Sequence, residues 1–310
     1  MELNLVKIET EKCILSEKTF DVFTKKEYPT SSEIPPYPLL VVENKDNYHL
    51  LYGIQEFKQW KNKHNNLMAY VLPKDLKFQT LFDEVINYHI RHHDLNHFEI
   101  SNTINMLRNK NFSETDITNR FCRTLDIAPT KNMVRDYLSL QKINNRVVIF
   151  LINKDASLKQ WLIFPELDDQ TQSFLAKIIA KLQPSLSSLT QLAKNILEIA
   201  KRDNKETKQV IKELKLKENI KNYSKQLALQ KLREIVRNSR YPVLEKYKKN
   251  KSDKIKSLNL PKSIKIVPDK TMETKNFRIQ ISIESKQDIG ESIKYLIENS
   301  NTIKNLLDIL

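Results

Sequence analysis

The spacing of apolar residues changes twice along this 310-residue chain, and the change restricts the folds that it can adopt. Up to about residue 72 the apolar residues form short runs bounded by turn-forming residues, which is typical of strands. From 78 to about 200 they recur every three or four residues, as on a buried helix face, and after 264 they alternate with polar residues. The sequence therefore predicts an α+β, mainly helical fold.

The same changes divide the chain into four predicted regions. They are a small α/β N-terminal domain at 1–77, a central helical domain at 78–200, a basic helical linker region at 201–257, and a C-terminal β-hairpin plus helix module at 258–310. Within the third region, Tyr241-Pro242 is expected to break a helix, and the segment KYKKNKSDKIK at 246–256 is expected to form a charged linker or loop.

A strand-to-helix turn is predicted near the N-terminus. The segments LLVVE at 39–43 and YHLLY at 48–52 should pair as a β-hairpin, and a helix should follow at 54–64. Gly53, one of two glycines in the chain, lies between the second strand and the helix. Backbone N–H groups at such a turn can face an anion, so Gly53 marks a candidate anion-binding turn.

Two short helices in the central region are each preceded by a capping residue. Ser113 is followed three residues later by Asp116, and Thr130 precedes a segment with an apolar stripe that includes Val134. Two short helices joined by a turn, with basic and amide side chains on the second, predict a helix-turn-helix.

Positive charge is concentrated in one fifth of the chain. The formal net charge is +14, and residues 201–262 hold 20 Lys or Arg against 7 Asp or Glu. Such a field attracts polyanions, of which nucleic acid is the commonest in a cytoplasm. The alternative is a solvated helical face in a lysine-rich chain, and charge alone leaves both interpretations open.

Candidate DNA contacts follow from the helix-turn-helix prediction and from the basic region. Side chains at the start of a recognition helix can reach base edges and phosphates, and cations beside it can contact the backbone. The candidates are Thr130, Lys131, Asn132 and Arg135 on the second helix, Arg120 and Arg123 before it, and Lys246, Lys248 and Lys249 in the basic region. A helical bundle with ordinary surface cations is the alternative.

The C-terminal region is predicted to contain a small hairpin and a helix. Ile279, Ile281 and Ile283 alternate with polar residues, and Ser285 is placed to cap a helix. A two-stranded hairpin with a helix buries little apolar area alone, so a homodimer is expected. A small domain packed on its own chain is the alternative.

Metal, redox and membrane roles receive little support. Cys13 and Cys122 lie far apart and form no metal-binding or redox spacing, and no apolar run is long enough to span a membrane. His89, His93 and His97 are spaced four residues apart and would share a helix face as metal ligands, but polar or structural histidines are the other interpretation. We predict a cytoplasmic protein with no metal site and no catalytic residues.

Together these segments resemble the ParB/RepB-type family of DNA-partition proteins, over nearly the whole chain. The segment YHLLY followed by GIQEF resembles the strand, glycine and helix of the ParB/sulfiredoxin-like N-terminal domain. Asp94-Leu95-Asn96 and Glu99 match the D-L-N-x-x-E that precedes the family's helix-turn-helix, and FSETDI matches the start of its first helix. FRIQISIE and SKQDIGESIKYL are similar to its C-terminal dimer module.

The resemblance implies a homodimer that binds duplex DNA in plasmid or chromosome partition. It implies a nucleoid-associated protein in the cytoplasm, with a ParA-type ATPase as partner. It also implies a site for CTP and Mg²⁺, although Gln55 and Glu56 stand where the family's G-x-R-R motif has two arginines. A CTP-hydrolysing clamp and a protein-binding adaptor or regulator therefore remain as alternatives.

The implied nucleotide pocket is degenerate in sequence. It would comprise Gly53, Gln55, Glu56, Arg91 and His92. The family's E-N-x-x-R box is replaced in this chain, with a histidine at its arginine position, and Arg91 lies one place away. We accordingly predict no bound cofactor and no enzymatic activity. The helix-turn-helix also departs from the family, being about six residues longer and lacking a glycine in its turn.

Overall fold

The computed structural model describes residues 4–16, 19–24, 37–219, 224–268 and 277–304. The fold is α+β and mainly helical, as predicted. The chain forms two compact units, at 1–230 and 231–310, and each is described by itself.

A five-stranded mixed sheet opens the first unit, with strand order β1-β5-β3-β4-β2. Its strands are β1 (Asn4–Glu9), β2 (Cys13–Ile14), β3 (Leu39–Asn44), β4 (Asn47–Tyr52) and β5 (Asn66–Leu72). β3 and β4 pair as the predicted antiparallel hairpin. β3 pairs in parallel with β5, and the connection between β4 and β5 carries helix α1 (Ile54–Trp60), which is shorter than the predicted helix.

The central strand β3 explains the unbroken apolar run in the sequence. Leu39, Leu40, Val41 and Val42 are all buried, because helices or loops cover both faces of the strand. The hairpin turn places Lys45 at a φ of 57°, a left-handed conformation that commonly closes tight hairpins. Trp60 of α1 is fully buried against this sheet.

Helices complete the first unit, and most begin at a capping side chain. The helices are α2 (Phe78–His92), α3 (His97–Asn109), α4 (Glu114–Arg120), α5 (Lys131–Ser139), α6 (Asn145–Asn153), α7 (Leu158–Trp161), α8 (Asp169–Leu182), α9 (Leu186–Arg202), α10 (Thr207–Glu213) and α11 (Leu216–Asn219). Ser113 and Thr130 cap α4 and α5 as predicted. Helix α12 (Lys225–Arg240) lies across the boundary between the units.

Aromatic side chains join α2 to the loop regions around α4. Phe82 and Phe121 are fully buried, and their ring centroids lie 4.8 Å apart in an edge-to-face arrangement. Phe78 stacks on Phe112 at 5.4 Å. Edge-to-face and offset-stacked rings are the favoured arrangements of aromatic pairs, so this cluster fixes α4 against α2.

The second unit is helical at a segment that was predicted as a linker or loop. Its elements after α12 are α13 (Pro242–Ser257), β6 (Ile264–Pro268), β7 (Phe277–Ile281), α14 (Lys286–Glu298) and α15 (Ser300–Lys304). The segment at 246–256, predicted as a linker or loop, is helical within α13. Pro242 occupies the first turn of that helix, where its missing N–H costs nothing, so the proline starts a helix as well as ending one.

The hairpin and the capped helix of the C-terminal region are confirmed. β6 pairs with β7 in antiparallel register, with Ile264 opposite Ile281. Ser285 accepts a hydrogen bond from the backbone N–H of Asp288 at the start of α14. Leu258 and Ile266 form the buried centre of this small unit.

No helix in the described part of the chain is both long and apolar enough to cross a membrane.

Candidate functional site

The turn between β4 and α1 requires glycine. Gly53 has a φ of 97°, in the left-handed region, and a Cβ atom added there would lie 2.7 Å from Cδ2 of Leu39. Both the backbone conformation and the packing therefore exclude a side chain. Gln55 and Glu56 follow in the first turn of α1, and Glu56 is buried.

A small cavity of about 30 Å³ lies at this turn. A space of that size holds one or two water molecules. The described residues that line it are Phe20, Asp21, Phe23, Thr24, Tyr52, Gly53, Ile54, Gln55, Glu56, His89 and His93. The structure thus brings together three of the five predicted pocket residues, Gly53, Gln55 and Glu56. Arg91 and His92 are not among the lining residues, whereas His89 and His93, which flank that segment in sequence, line the cavity.

The residues at this cavity do not fit CTP. Asp21 and Glu56 contribute carboxylates, and none of the described lining residues is Lys or Arg. A triphosphate needs cationic donors and a far larger space, and a carboxylate beside it would repel it. The described lining therefore supplies neither the charge nor the volume that the resemblance implied.

A buried polar network adjoins the cavity. Tyr52 Oη lies 3.1 Å from Nδ1 of His89, and Nε2 of His89 lies 3.5 Å from Oε2 of Glu99. Thr24 donates two hydrogen bonds to Oε1 of Glu99, from its backbone N–H at 2.8 Å and its hydroxyl at 2.6 Å. The network connects the end of β4 to α2 and to the start of α3.

The network stabilises the ionised form of Glu99. Burial raises the pKa of this carboxyl, but the imidazole of His89 and the hydrogen bonds from Thr24 lower it further, so the pKa lies below its ordinary value. Phe23 stacks on the ring of His89 at a centroid distance of 4.0 Å and closes one side. The arrangement holds two parts of the first unit together.

Sequence reasoning identified Glu99 but not its partners. Glu99 matched a family motif, and the structure shows that it also forms a capping box with Asn96 at the start of α3. Thr24 and Phe23 lie more than 70 residues earlier, and no local pattern marks them. A contact between residues so far apart in sequence can be identified only from the folded structure.

The histidines do not form the shared helix face on which the metal hypothesis depends. α2 ends at His92, and His97 is the first residue of the next helix. Nδ1 of His97 lies 3.0 Å from the hydroxyl of Tyr137. Within the described ranges, no group of three or more His, Cys, Asp or Glu side chains is arranged to hold a metal ion.

Helices α4 and α5 pack against each other and against α3. The connection between them, residues 121–130, contains Asp126 at a φ of 52°. Asp126 thus adopts the left-handed conformation for which a glycine is more usual, since aspartate tolerates that region better than most residues. The predicted extra length is accommodated as a turn that continues from the end of α4.

The start of α5 is exposed and carries polar side chains. Thr130 caps the helix by accepting a hydrogen bond from the N–H of Met133 at 3.1 Å. Lys131, Asn132 and Arg135 are exposed, and Arg135 is bound by Glu114 of α4 at 2.9 Å. A helix N-terminus carries partial positive charge, so this end of α5 combines backbone and side-chain attraction for an anion.

α5 is held in place by its contacts with α3. The hydroxyl of Ser101, a fully buried residue, donates to the carbonyl oxygen of Tyr137 at 2.6 Å. The contact between His97 and Tyr137 adds a second link at the same level. Val134 of α5 is fully buried. These contacts with α3 therefore fix the position of α5 and of its exposed side.

The remaining candidate DNA contacts occupy three settings. The guanidinium of Arg120 lies over the rings of Phe112 and Phe121, at 5.3 and 5.4 Å from their centroids, so it is partly committed to cation–π contacts. Arg123 is exposed in the connection. Lys246 and Lys249 are exposed on α13, in the second unit, and Lys248 belongs to the same helix.

No protein-family model matches the chain, and no curated protein matches it. Among solved structures, the chain is similar to the C-terminally truncated chromosome-partitioning protein ParB from Caulobacter crescentus complexed to the centromeric parS site. The identity is 14%, the match covers 61% of this chain and 98% of that one, and the TM-score is 0.32. For the same protein complexed with CTP-γ-S, the identity is 14%, the coverage is 57% and 99%, and the TM-score is 0.23. Similarity at this level establishes no function for this chain.

Proposed function

We propose that this chain is a ParB-like protein that binds duplex DNA, with α4 and α5 acting as a helix-turn-helix and α5 as its recognition helix. The observation that carries the proposal is the exposed start of α5, where Lys131 and Asn132 follow the capping residue Thr130. Residues at this position of a recognition helix reach base edges, and asparagine pairs with adenine through two hydrogen bonds.

The pair between Arg135 and Glu114 supports a role in orienting a DNA contact. Arg135 is 62% exposed at its side chain, so the pair contributes little to folding. Glu114 holds the guanidinium on the outer side of α5 until a phosphate competes for it. The carboxylate also opposes loose binding of DNA, because it reduces the positive field at this surface.

A homodimer is the second part of the proposal, and its support lies in the second unit. Six isoleucines are exposed by 39% to 68%, on β7, just after it, and on α14. They are Ile279, Ile281, Ile283, Ile289, Ile293 and Ile297. An apolar set of this size on one small unit fits a self-complementary interface with a second copy. A dimer would present two α5 helices to two DNA half-sites.

The family resemblance supplies the biological setting. We infer a role in plasmid or chromosome partition, in a cytoplasmic protein associated with the nucleoid and with a ParA-type ATPase as partner. The basic residues of 201–262 would add sequence-independent affinity that falls with salt. A CTP-hydrolysing clamp is a weaker candidate, because the described lining of the cavity at Gly53 carries carboxylates and lacks Lys and Arg.

The test is binding of the full chain to mixed genomic DNA fragments over a salt series, followed by sequencing of the bound fraction. We expect one short, two-fold symmetric motif to be recovered at moderate salt. Lys131→Ala and Arg135→Ala should each weaken binding, and each lost phosphate contact should lower the salt slope by about one. Asn132→Ala should relax the sequence preference instead.

Lys181→Ala is the matched control, since Lys181 is an exposed cation on α8 outside the proposed interface. Its binding should equal that of the unaltered chain. Uniform recovery of fragments, with Lys131→Ala no worse than Lys181→Ala, would reduce the proposal to non-specific binding. No recovery at any salt would reject DNA binding and favour the protein-binding adaptor.

A further inference from the structure

A groove of about 1230 Å³ lies between α6 and α8 in the first unit. It does not include the cavity at Gly53 or any residue of α5. One end of the groove is fixed by Gln172, which is buried on α8. Its Oε1 accepts a hydrogen bond from the N–H of Asn144 at 2.7 Å, and its Nε2 donates to the carbonyl oxygen of Lys142 at 3.1 Å. The start of α6 is thereby attached to α8, and the groove is formed before any partner binds.

The floor of the groove is apolar and partly uncovered. Ile149 is 52% exposed in the middle of α6, whereas Phe150 beside it is 8% exposed. On α8 three of the lining residues are small, Ser173, Ala176 and Ala180, and they are spaced three and four residues apart along one face. Small side chains at this spacing allow another helix to approach closely, and Ile149 would then be covered.

The sides of the groove are positively charged. Arg146 on α6 and Lys154 at the end of α6 lie on either side of Ile149, and Lys177 lies opposite on α8; all three are exposed. None of the described residues that line the groove is Asp or Glu. Asp155 and Asp169, at the ends of the two helices, are not among them. An occupant must therefore combine an apolar strip with acidic flanks.

We propose that this groove binds an amphipathic helix of a partner protein, with an apolar face that covers Ile149 and acidic residues on both flanks. α6 has nine residues and is about 14 Å long, which matches two to three turns of a docked helix. Duplex DNA is the less suitable occupant, because a sugar-phosphate backbone offers no apolar strip for Ile149. The inference does not depend on DNA binding by α5.

The test uses the full chain and a displayed library of 18-residue helical peptides. Each peptide carries leucine at the four apolar positions of one face and either Glu or Lys at every flanking position. Peptides that bind the unaltered chain are recovered after removal of those that also bind Ile149→Asp. We expect Glu at the flanking positions nearest the apolar face, and binding by the recovered peptides should fall about tenfold or more in Arg146→Glu and Lys177→Glu.

Two control variants match these changes. Ile90→Asp replaces an isoleucine that is 44% exposed on α2, and Lys181→Glu reverses an exposed charge on α8 that does not line the groove. Both should bind the recovered peptides as the unaltered chain does. The proposal fails if no peptide depends on Ile149, or if recovered peptides carry Lys and Glu equally.

A DNA measurement distinguishes the competing occupant. Binding of a 20-base-pair duplex of random sequence should be no weaker for Ile149→Asp than for Ile90→Asp. If Arg146→Glu and Lys177→Glu abolish duplex binding while no Ile149-dependent peptide is found, the groove is a nucleic-acid contact and the proposal is wrong. Loss of DNA binding in Lys131→Ala with unchanged peptide binding would keep this inference separate from the proposed function.

Discussion

Glu99 is a carboxylate with 1% of its side chain exposed, and the groups that pair with it favour its ionised form against the cost of burial. Thr24 donates to one oxygen, and the backbone N–H of Asn96 donates to the other at 3.1 Å. Buried charges are tolerated when they are paired and hydrogen-bonded, and removing one partner leaves the others unsatisfied. A residue that the sequence marks only through a family motif therefore holds two parts of the first unit together.

Glu99→Gln should lower the free energy of unfolding by about 1–3 kcal/mol at pH 7, because the amide presents a donor where two oxygens accept. Glu99 has a pKa below its ordinary value of 4.5, so its ionised form stabilises the fold above that pH and the contribution is lost as the pH falls through the lower, folded-state pKa. The difference in unfolding free energy between the unaltered chain and Glu99→Gln should therefore become smaller as the pH is lowered. Urea unfolding at pH 7 and pH 4 measures it.

Glu9→Gln is the control for Glu99→Gln. The side chain of Glu9 is 57% exposed and pairs with Lys12 three residues later. Exposed pairs of this kind contribute little, so its unfolding free energy should change by less than about 0.5 kcal/mol. Equal effects of the two substitutions would show that the buried network contributes no more than a surface ion pair.

The two cysteines are predicted to be inert in the folded chain. Both are buried, and burial raises the pKa of the Cys13 thiol to about 12 and raises that of Cys122 as well. The thiolate is the reactive form, so both thiols should react with a disulfide reagent slowly in buffer and fast in denaturant. Rapid reaction of either thiol under native conditions would mean that its surroundings open easily.

At the scale of elements, the local signals in the sequence predicted most of the strands and helix starts. The hairpin of β3 and β4 followed from a turn between two apolar runs, and the caps at Ser113, Thr130 and Ser285 followed from short polar side chains before helices. α13 was missed because a lysine-rich segment without a clear apolar stripe was interpreted as a loop. Lysine itself favours helices, and that propensity prevailed.

The network at the cavity was not predictable in the same way. Gly53, Gln55 and Glu56 are adjacent in sequence, and their shared location followed from one turn. The position of Arg91 outside the cavity depends on the rotation of α2, which Phe82, Val85 and Ile86 set by facing the core. A one-residue difference on a helix changes its direction by about 100°, so a family motif shifted by one place cannot be carried over without the packing.

Asp168 joins α8 to α10, and its loss should affect both helices. Its Oδ1 accepts from the N–H of Thr171 at 2.9 Å, and its Oδ2 accepts from the hydroxyl of Thr207 at 2.5 Å and the N–H of Lys208 at 2.7 Å. Burial raises the pKa of Asp168, but these bonds lower it below its ordinary value. Asp168→Ala should cost about 2 kcal/mol in urea unfolding.

Asp169→Ala provides the comparison for Asp168→Ala. Asp169 is exposed in the first turn of α8, where it interacts only with the partial charge of the helix end in the contacts described. We expect a loss below about 1 kcal/mol. If Asp169→Ala is the more damaging change, the link between α8 and α10 is not the important interaction.

Glu114→Gln tests the proposed DNA surface at the level of the α4–α5 pair. The change removes a negative charge and frees Arg135, so non-specific duplex binding at low salt should strengthen about two- to tenfold. Fluorescence anisotropy with a labelled duplex measures it, and Glu9→Gln, which frees Lys12 outside both the α4–α5 surface and the basic region, is the control. Unchanged affinity would place Arg135 away from the DNA.

For the whole molecule, the proposed recognition helix α5 and the proposed dimer surface belong to different units of the chain. A single nine-residue helix contacts few base pairs, so a sequence-specific protein of this class gains affinity from two copies acting on two half-sites. If dimerisation occurs through the second unit, a surface substitution there should weaken specific DNA binding without touching α5. An effect of the second unit on specific DNA binding would distinguish a DNA-binding dimer from a monomer that carries an accessory domain.

Ile293→Asp places a charge in the middle of the exposed isoleucines of α14, where half of the side chain is already accessible, so the unit should still fold. We expect light scattering to report a dimer for the unaltered chain and for Ile90→Asp, and a monomer for Ile293→Asp at the same micromolar concentration. Because binding of the second α5 would then no longer be intramolecular, affinity for the recovered two-fold motif should fall about a hundredfold, whereas affinity for a single half-site should not change. A dimer that survives Ile293→Asp would exclude this face as the interface. A monomer that still binds the full motif tightly would show that α5 does not need a partner copy, and the basic surface of the chain would then have to supply the missing affinity.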